Sequence, residues 1–392
     1  MRYTPKFELE QRIAKLQGGL RKRGIDGAII VQNADLFYFT GTIQRAHLFV
    51  PSEGKPLLLV KKNLERAQEE SSLDIIIPLE SLKEIKAALR SHSYGPFKTL
   101  GFEMDVLPAN QFLHYQKLFA PAEIVDVSPL IRAVRMVKSP YELEILKNVA
   151  KLHHEIYSLV KDNLREGISE LELSAIIAAA SRERGHSGII RARRFNEELF
   201  YVHLISGSNT VSSYFEGSVG GKGISPAFPQ GSCSKLIGVN EPVMVDFNFV
   251  FDGYMVDHTR VFCLGSLPEH LTVAHAAAVD ILRELEKMAR PGVPCEKLYE
   301  RAVELAKDSG YGKHFLGFPE QVKFIGHGIG IELDELPVIA PGFKTPLEEG
   351  MVIALEPKFV FPNGAVGVEN TYLVTKEGLE TLTVFEEGII YV

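Results

Sequence analysis

The sequence has few cysteines, no excess of positive charge and no long apolar run. Its three cysteines, Cys233, Cys263 and Cys295, are odd in number and lack zinc-ligand spacing. That excludes a disulfide scaffold and fits a reduced, cytoplasmic setting. The net charge is −7 and the pI about 6.0, which argues against a general nucleic-acid binder. No apolar stretch approaches the ~18 residues of a membrane helix, so no membrane partner is expected. The opening MRYTPKFELEQR is charged and has no apolar core, so no signal peptide is expected either. There is no repeat of fixed period and no low-complexity tract. What is present is globular in composition, 45% apolar and 24% charged over 392 residues. At roughly 150 residues per domain, that length predicts two or three domains.

The first third alternates element types. Residues 7–23 read as a helix, with Leu9, Ile13, Leu16 and Leu20 at three-to-four spacing. Short apolar runs follow at 28–31, 47–50 and 57–60, then helical patterns at 62–70 and 79–90, and a strand-like TLGFE at 99–103. This alternation predicts an α/β domain over 1–130 with a mixed or parallel sheet. Nothing in this third clusters into chemistry. A boundary falls near 127–140, where VSPLIRAVRMVKSP ends in a helix start. Ser139 serves as N-cap, Pro140 as N1 and Glu142 as N3, which is a capping box. Ser169 with Glu172 opens a second helix in the same way, and 269–290 and 294–309 are helical. Strand patterns lie at 200–206, 242–264, 351–356 and 366–375. Long helices interleaved with antiparallel hairpins predict an α+β C-terminal domain over 137–392.

The most informative segment is EPVMVDFNFVFDGYMVDHTRVF. Asp252-Gly253 between two apolar runs is a strong hairpin signal. If 251 pairs with 254, then 248 pairs with 257 and 246 with 259. Alternation of side chains then puts Asp246, Asn248, Asp257 and Thr259 on one face and Phe247, Phe249 and Phe251 on the other. The two aspartates become diagonal neighbours. Two carboxylates converging on an apolar hairpin repel each other unless a cation lies between them; the alternative for the hairpin by itself is a solvated face. Two later features bear on the choice. In GHGIG, His327 stands between glycines. MVIALEP ends an apolar run on Glu356, and VGVENTYLV buries Glu369 in an apolar strand.

In order, Asp246, ten residues, Asp257, then His327 in a Gly-His-Gly turn, Glu356 in a Glu-Pro step and a last Glu369 form the metal pattern of the aminopeptidase P/prolidase family. Residues 137–392 resemble the catalytic domain of that family, whose fold is called pita-bread. Residues 1 to about 130 are similar to the creatinase-type N-terminal domain by position, size and pattern. The resemblance implies two divalent metal ions, of Mn, Co, Fe or Zn. Asp257 and Glu369 would bridge them, Asp246 would chelate one, and His327 and Glu356 would bind the other. Four carboxylates balance two divalent ions, and oxygen donors with one imidazole suit such metals. Two such ions can bridge a water and lower its pKa, with Glu356 as general acid/base. The resemblance also implies a homodimer.

Three departures from the pattern bear on substrate. Where the family has a histidine shortly after a Ser-Gly-x-Asn turn, here Ser206-Gly207-Ser208-Asn209, this chain has Tyr214. Where it has a second histidine seven residues after the metal histidine, this chain has Asp334. Where it often has an arginine before the last glutamate, this chain has Gly367. An ionised aspartate cannot donate a hydrogen bond to an oxyanion. His203, on the strand leading into the Ser-Gly turn, and the phenol of Tyr214 are candidate substitute donors, with packing as the alternative for each. Asp334 is a candidate substrate-pocket residue. The glycine-rich segment 217–231 lacks a Gly-Lys-Ser/Thr ending and reads as a flap or surface loop. The run Arg191-Ala192-Arg193-Arg194 reads as a solvated or dimer-facing patch. The expected function is a dinuclear metal-dependent hydrolase of Xaa-Pro type, acting on a peptide or peptide-like small molecule. The alternatives are a hydrolase or lyase on a non-peptide small molecule, or a non-catalytic binding protein on the same fold.

Overall fold

The computed structural model describes residues 2–210, 213 and 217–392. It divides into two compact units, one of residues 1–135 with 193–195, the other of 136–192 with 196–392. The first unit is built on a six-stranded mixed sheet of β1 (Gly27–Ile30), β2 (Ala46–Pro51), β3 (Leu57–Val60), β4 (Ile76–Pro78), β5 (Thr99–Phe102) and β6 (Glu123–Asp126), in the order β4-β3-β2-β1-β5-β6. Helix Lys6–Lys22 buries the predicted Leu9, Ile13, Leu16 and Leu20. Two helices that the sequence pattern did not signal, Asn33–Thr40 and Ala109–Phe119, complete the alternation. The boundary segment holds a further helix, Ser128–Met136. Arg193 is not a solvated residue. Its side chain is 6% exposed and its guanidinium holds Asp35 at 2.8 Å and Asp105 at 2.6 Å. The basic run is thus, at that position, part of a buried ion-pair network.

The second unit opens with helix Pro140–Asn163. Its capping box forms as read: the Ser139 hydroxyl accepts from the Glu142 N–H and the Glu142 carboxylate accepts from the Ser139 N–H. Three shorter helices follow at Glu170–Glu183, Glu269–Met288 and Cys295–Asp308. Between and after them come β7 (Val202–Ser206), β8 (Pro242–Phe251), β9 (Tyr254–Cys263), β10 (Gly326–Gly328), β11 (Glu335–Ile339), β12 (Val352–Leu355), β13 (Lys358–Phe361), β14 (Gly364–Gly367), β15 (Asn370–Val374), β16 (Leu379–Thr381) and β17 (Ile390–Tyr391). They form a sheet β17-β9-β8-β7, a sheet β11-β10-β12-β15-β16 and the hairpin β13-β14. The stretch read as one strand over 366–375 is two, ending at Gly367 and restarting at Asn370, so that Glu369 sits in the break. An isolated antiparallel bridge from Glu369 to Thr259 ties that break to the β8–β9 hairpin. One apolar core runs beneath the strands, from Ile205 and Met244 through Leu271, Leu282 and Leu298 to Phe359 and Val374. Among the described residues, no helix is long and apolar enough to cross a membrane, and the three cysteines are free thiols.

Candidate metal centre

The β8–β9 hairpin has the register its turn predicts. Asp252 and Gly253 both take positive φ, 49° and 83°, as a two-residue turn of this kind requires. Phe251 then pairs with Tyr254, Asn248 with Asp257 and Asp246 with Thr259. Phe247 and Phe249 are buried on the opposite face. Thr259 does more than share the face: its hydroxyl donates to Glu369 Oε2 at 2.7 Å. Asp257 is held at the backbone, where its N–H donates to the Thr371 hydroxyl at 3.0 Å.

His327 lies in β10, central between β11 and β12. Its flanking glycines answer to these neighbours: a Cβ on Gly326 would lie 2.1 Å from the Ala354 carbonyl oxygen, and one on Gly328 would lie 2.1 Å from that of Leu336. The glycines thus make room for strands rather than for a ligand. The ring Nδ1 is 3.0 Å from the Gly328 carbonyl oxygen, to which it donates. Nε2 is thereby left with its lone pair, 3.9 Å from Asp257 Oδ2 and 3.8 Å from Glu356 Oε1. Downstream, the buried Lys138–Glu335 pair (2.9 Å) fixes the turn after His327, because Glu335 also accepts from the N–H groups of Ile331 and Glu332. That turn brings Asp334 Oδ1 to 3.6 Å from His327 Nδ1.

All five predicted ligands thus converge, and with them a residue that the sequence reading passed over. The Lys358 ammonium lies 2.9 Å from each of Asp246 Oδ2, Glu356 Oε2 and Glu369 Oε2. Its side chain is 3% exposed. Strand alternation could not have found it: β12 ends at Leu355 and β13 begins at Lys358, so the lysine two residues after Glu356 lies in a different strand. A cavity of about 100 Å³ opens on this cluster, lined by Asp246, Asp257, His327, Glu356 and Lys358 and by His203, Asn248 and Asp334.

Electrostatics follow from the crowding. Burial works to raise the Asp246 carboxyl, but the Lys358 ammonium beside it holds it below the usual range. Burial, then Glu369 and Asp246, push Asp257 well above it. Burial also lifts Glu369, to about 7, with Lys358 opposing and Glu356 adding to the rise. Burial alone would lower His327; the carboxylates of Asp334, Glu356 and Glu369 outweigh it and raise the imidazole. The carboxylates of Asp246, Glu356, Glu369 and Asp257 raise Lys358 well above an ordinary lysine against its own burial, so it is a fixed cation.

Of the candidate donors, His203 pairs with Asp246 across β7 and β8. Its Nε2 is 2.6 Å from the Gly220 carbonyl oxygen, and burial lowers its pKa. It is a neutral ring at the cavity wall that spends one N–H on the backbone. Tyr214 lies outside the described residues. The Ser206–Asn209 turn is organised by the buried Glu170, which accepts from the Ser206 N–H, the Asn209 amide and the Cys233 N–H. Of the glycine-rich segment, Gly217, Ser218, Val219 and Gln230 line the cavity.

The first comparison with known proteins matches residues 144–376 to the description "Metallopeptidase family M24". The chain belongs to metallopeptidase family M24. Residues 12–137 match "Creatinase/Prolidase N-terminal domain", so the architecture is a creatinase-type α/β domain followed by an M24 pita-bread domain. The chain is 25% identical over 386 residues to an Xaa-Pro dipeptidase of Pyrococcus furiosus, covering 97% of this chain and 100% of that protein. It is 27% identical to an uncharacterized peptidase of Bacillus subtilis over 95% of this chain and 97% of the relative. The prolidase of Pyrococcus horikoshii OT3 superposes with a TM-score of 0.80 at 25% identity, over 96% of this chain and 99% of that one.

The M24 family implies a divalent metal, and the donor set can be tested against it. Ligand atoms of Asp257, His327 and Glu369 lie within 4.8 Å of one another. Among the described residues, the buried Glu369 Oε1 finds no hydrogen-bond donor, an orphan that a cation satisfies. These residues therefore fit a divalent ion on the His327 side of the cluster.

Proposed function

We propose that this M24 chain is a divalent-metal-dependent hydrolase of a peptide or peptide-like amide, of Xaa-Pro type, in which 137–392 is the catalytic domain and 1–130 the accessory one. The observation that carries the reading is that Asp246, Asp257, His327 and Glu356 line one cavity, with the buried Glu369 grouped behind Asp257 and His327, in a family of metallopeptidases. Asp257, His327, Glu356 and Glu369 would hold the ion. When bound, it supplies Lewis-acid polarisation and an acidified water. Glu356 is the proton carrier, since its Oε1 faces the ring of His327 while its Oε2 is anchored on Lys358. Lys358 orients three carboxylates at once. Thr259 fixes one oxygen of Glu369, and the Gly328 carbonyl selects the His327 tautomer. His203 closes the wall beside Asp246.

A second reading, hydrolysis or elimination on a non-peptide small molecule, is favoured by Asp334 at the cavity, where a carboxylate meets the substrate instead of a hydrogen-bond donor. A panel of Xaa-Pro and other dipeptides, with Mn²⁺, Co²⁺, Fe²⁺ or Zn²⁺ added, tests the first reading. Turnover that Glu356→Gln removes supports it; no turnover with any peptide and any ion overturns it in favour of the second. A cytoplasmic homodimer belongs to the same proposal, and sedimentation checks the oligomer.

A further inference from the structure

We propose that the Lys358 ammonium is a built-in cation standing where one of the two ions implied by the ligand pattern would stand, so that the chain takes a single divalent ion. This rests on the site being a divalent-metal centre. An ammonium has three donors, and here each is used on a different carboxylate: Asp246, Glu356 and Glu369, all at 2.9 Å. A divalent ion bound to those same oxygens would sit about 2.0–2.2 Å from each. It would therefore compete with the ammonium for the same lone pairs and be repelled by its charge.

The lysine is not a chance visitor from a flexible arm. Its backbone is in β13, paired with Gly367 of β14, two residues beyond Glu356. A Cβ on Gly367 would meet Lys358 Cα at 2.7 Å and Cγ at 2.8 Å. The missing side chain at 367 is the slot through which the lysine stem passes. The same Cβ would lie 2.5 Å from the Pro357 carbonyl oxygen, so the glycine answers to the facing backbone as well as to the lysine stem.

The donors divide accordingly. Asp246 Oδ2, Glu356 Oε2 and Glu369 Oε2 belong to Lys358. Asp257, the Nε2 of His327, Glu356 Oε1 and the orphan Glu369 Oε1 remain for an ion. Asp246 thus changes role, from ligand to counter-ion of a lysine.

Metal stoichiometry tests this. The protein is stripped with chelator, dialysed against Mn²⁺ or Co²⁺ and assayed by elemental analysis. One ion per chain is expected in the wild type and two in Lys358→Ala. Two ions in the wild type, or no increase in Lys358→Ala, overturns the proposal and leaves the hydrolase reading standing. No ion in either chain overturns both. Should Lys358→Ala fail to fold, Asp246→Asn in the otherwise native chain decides. Retention of one ion supports the proposal, because Asp246 is not a ligand to it. A fall from two to one, as in a two-ion centre, overturns it.

Discussion

Replacing Lys358 with methionine keeps the stem and removes the charge, and the structure sets the expected cost. In protein freed of divalent ions, the ammonium is the cation shared by Asp246, Glu356 and Glu369, and its side chain is 3% exposed. Solvent therefore screens little. Removing one partner of a buried ion pair costs about 3–5 kcal/mol, because it leaves the other charge uncompensated. For a domain of this size that is a fall in Tm on the order of 10 °C. The assay is thermal or guanidinium unfolding of Lys358→Met beside the native chain, each with chelator and with excess Mn²⁺. The ion should rescue the variant more than it stabilises the native chain, since each further bound ion adds about 4 kcal/mol at a thousandfold excess over its Kd. A chelated variant within about 1 kcal/mol of the native chain, the level of an exposed pair, would refute the reasoning, as would equal rescue of both.

Other outcomes follow from the same geometry. Glu356→Gln should lower turnover by roughly 10²–10⁴, the usual worth of a general acid/base, in steady-state assays on whichever peptide the native chain cleaves. Asp257→Asn should abolish ion uptake in elemental analysis, since its carboxylate stands within reach of both His327 and Glu369. In the chelated native chain, stability should fall as pH rises from the unfolded carboxylate range towards 7. Glu369, lifted from 4.5 to about 7, holds its proton more tightly folded than unfolded, which alone is about 3 kcal/mol lost over that window. The raised Asp257 and His327 act in the same direction, and the depressed Asp246 acts in the opposite sense, below 3.8. Urea unfolding across that pH range checks the sign, and a rise in stability would contradict it. Gly367→Ala should destabilise by about 1–3 kcal/mol through overpacking, because its Cβ would lie 2.5 Å from the Pro357 carbonyl oxygen; the same denaturation curves measure it.

Local rules made much of this readable. The Asp252-Gly253 turn dictated the hairpin register, residue for residue, and so the shared face of Asp246 and Asp257. The capping box at Ser139 marked where the second unit's first helix begins. Resemblance to a known metal pattern, rather than any local rule, put His327, Glu356 and Glu369 in a common set. Long-range packing supplied what spacing could not. The break at Glu369 is made by its bridge to Thr259, across 110 residues of chain, and nothing near 369 announces it. Helix Asn33–Thr40 is apolar on most sides, so it lacks the one-faced pattern by which a helix is recognised. The burial of Arg193 depends on Asp35 and Asp105, distant in sequence. Lys358 was missed for another reason: attention to residues that bind cations passes over a residue that is one.

A lysine in a metal site changes what the protein needs from its surroundings. An ion is in exchange with solution and has a dissociation constant; when the metal is scarce, its site empties. A side chain is tethered, and its effective concentration beside its carboxylates is set by the chain rather than by the medium. Half of the centre is therefore assembled when β13 and β14 pair, before any ion arrives. The remaining ion meets Glu356 and Glu369 already oriented by the lysine. Its binding is not linked to that of a second ion, so a titration should follow a simple one-site curve. Chelators can remove only part of this site's positive charge, and metal starvation should leave the cluster folded and waiting.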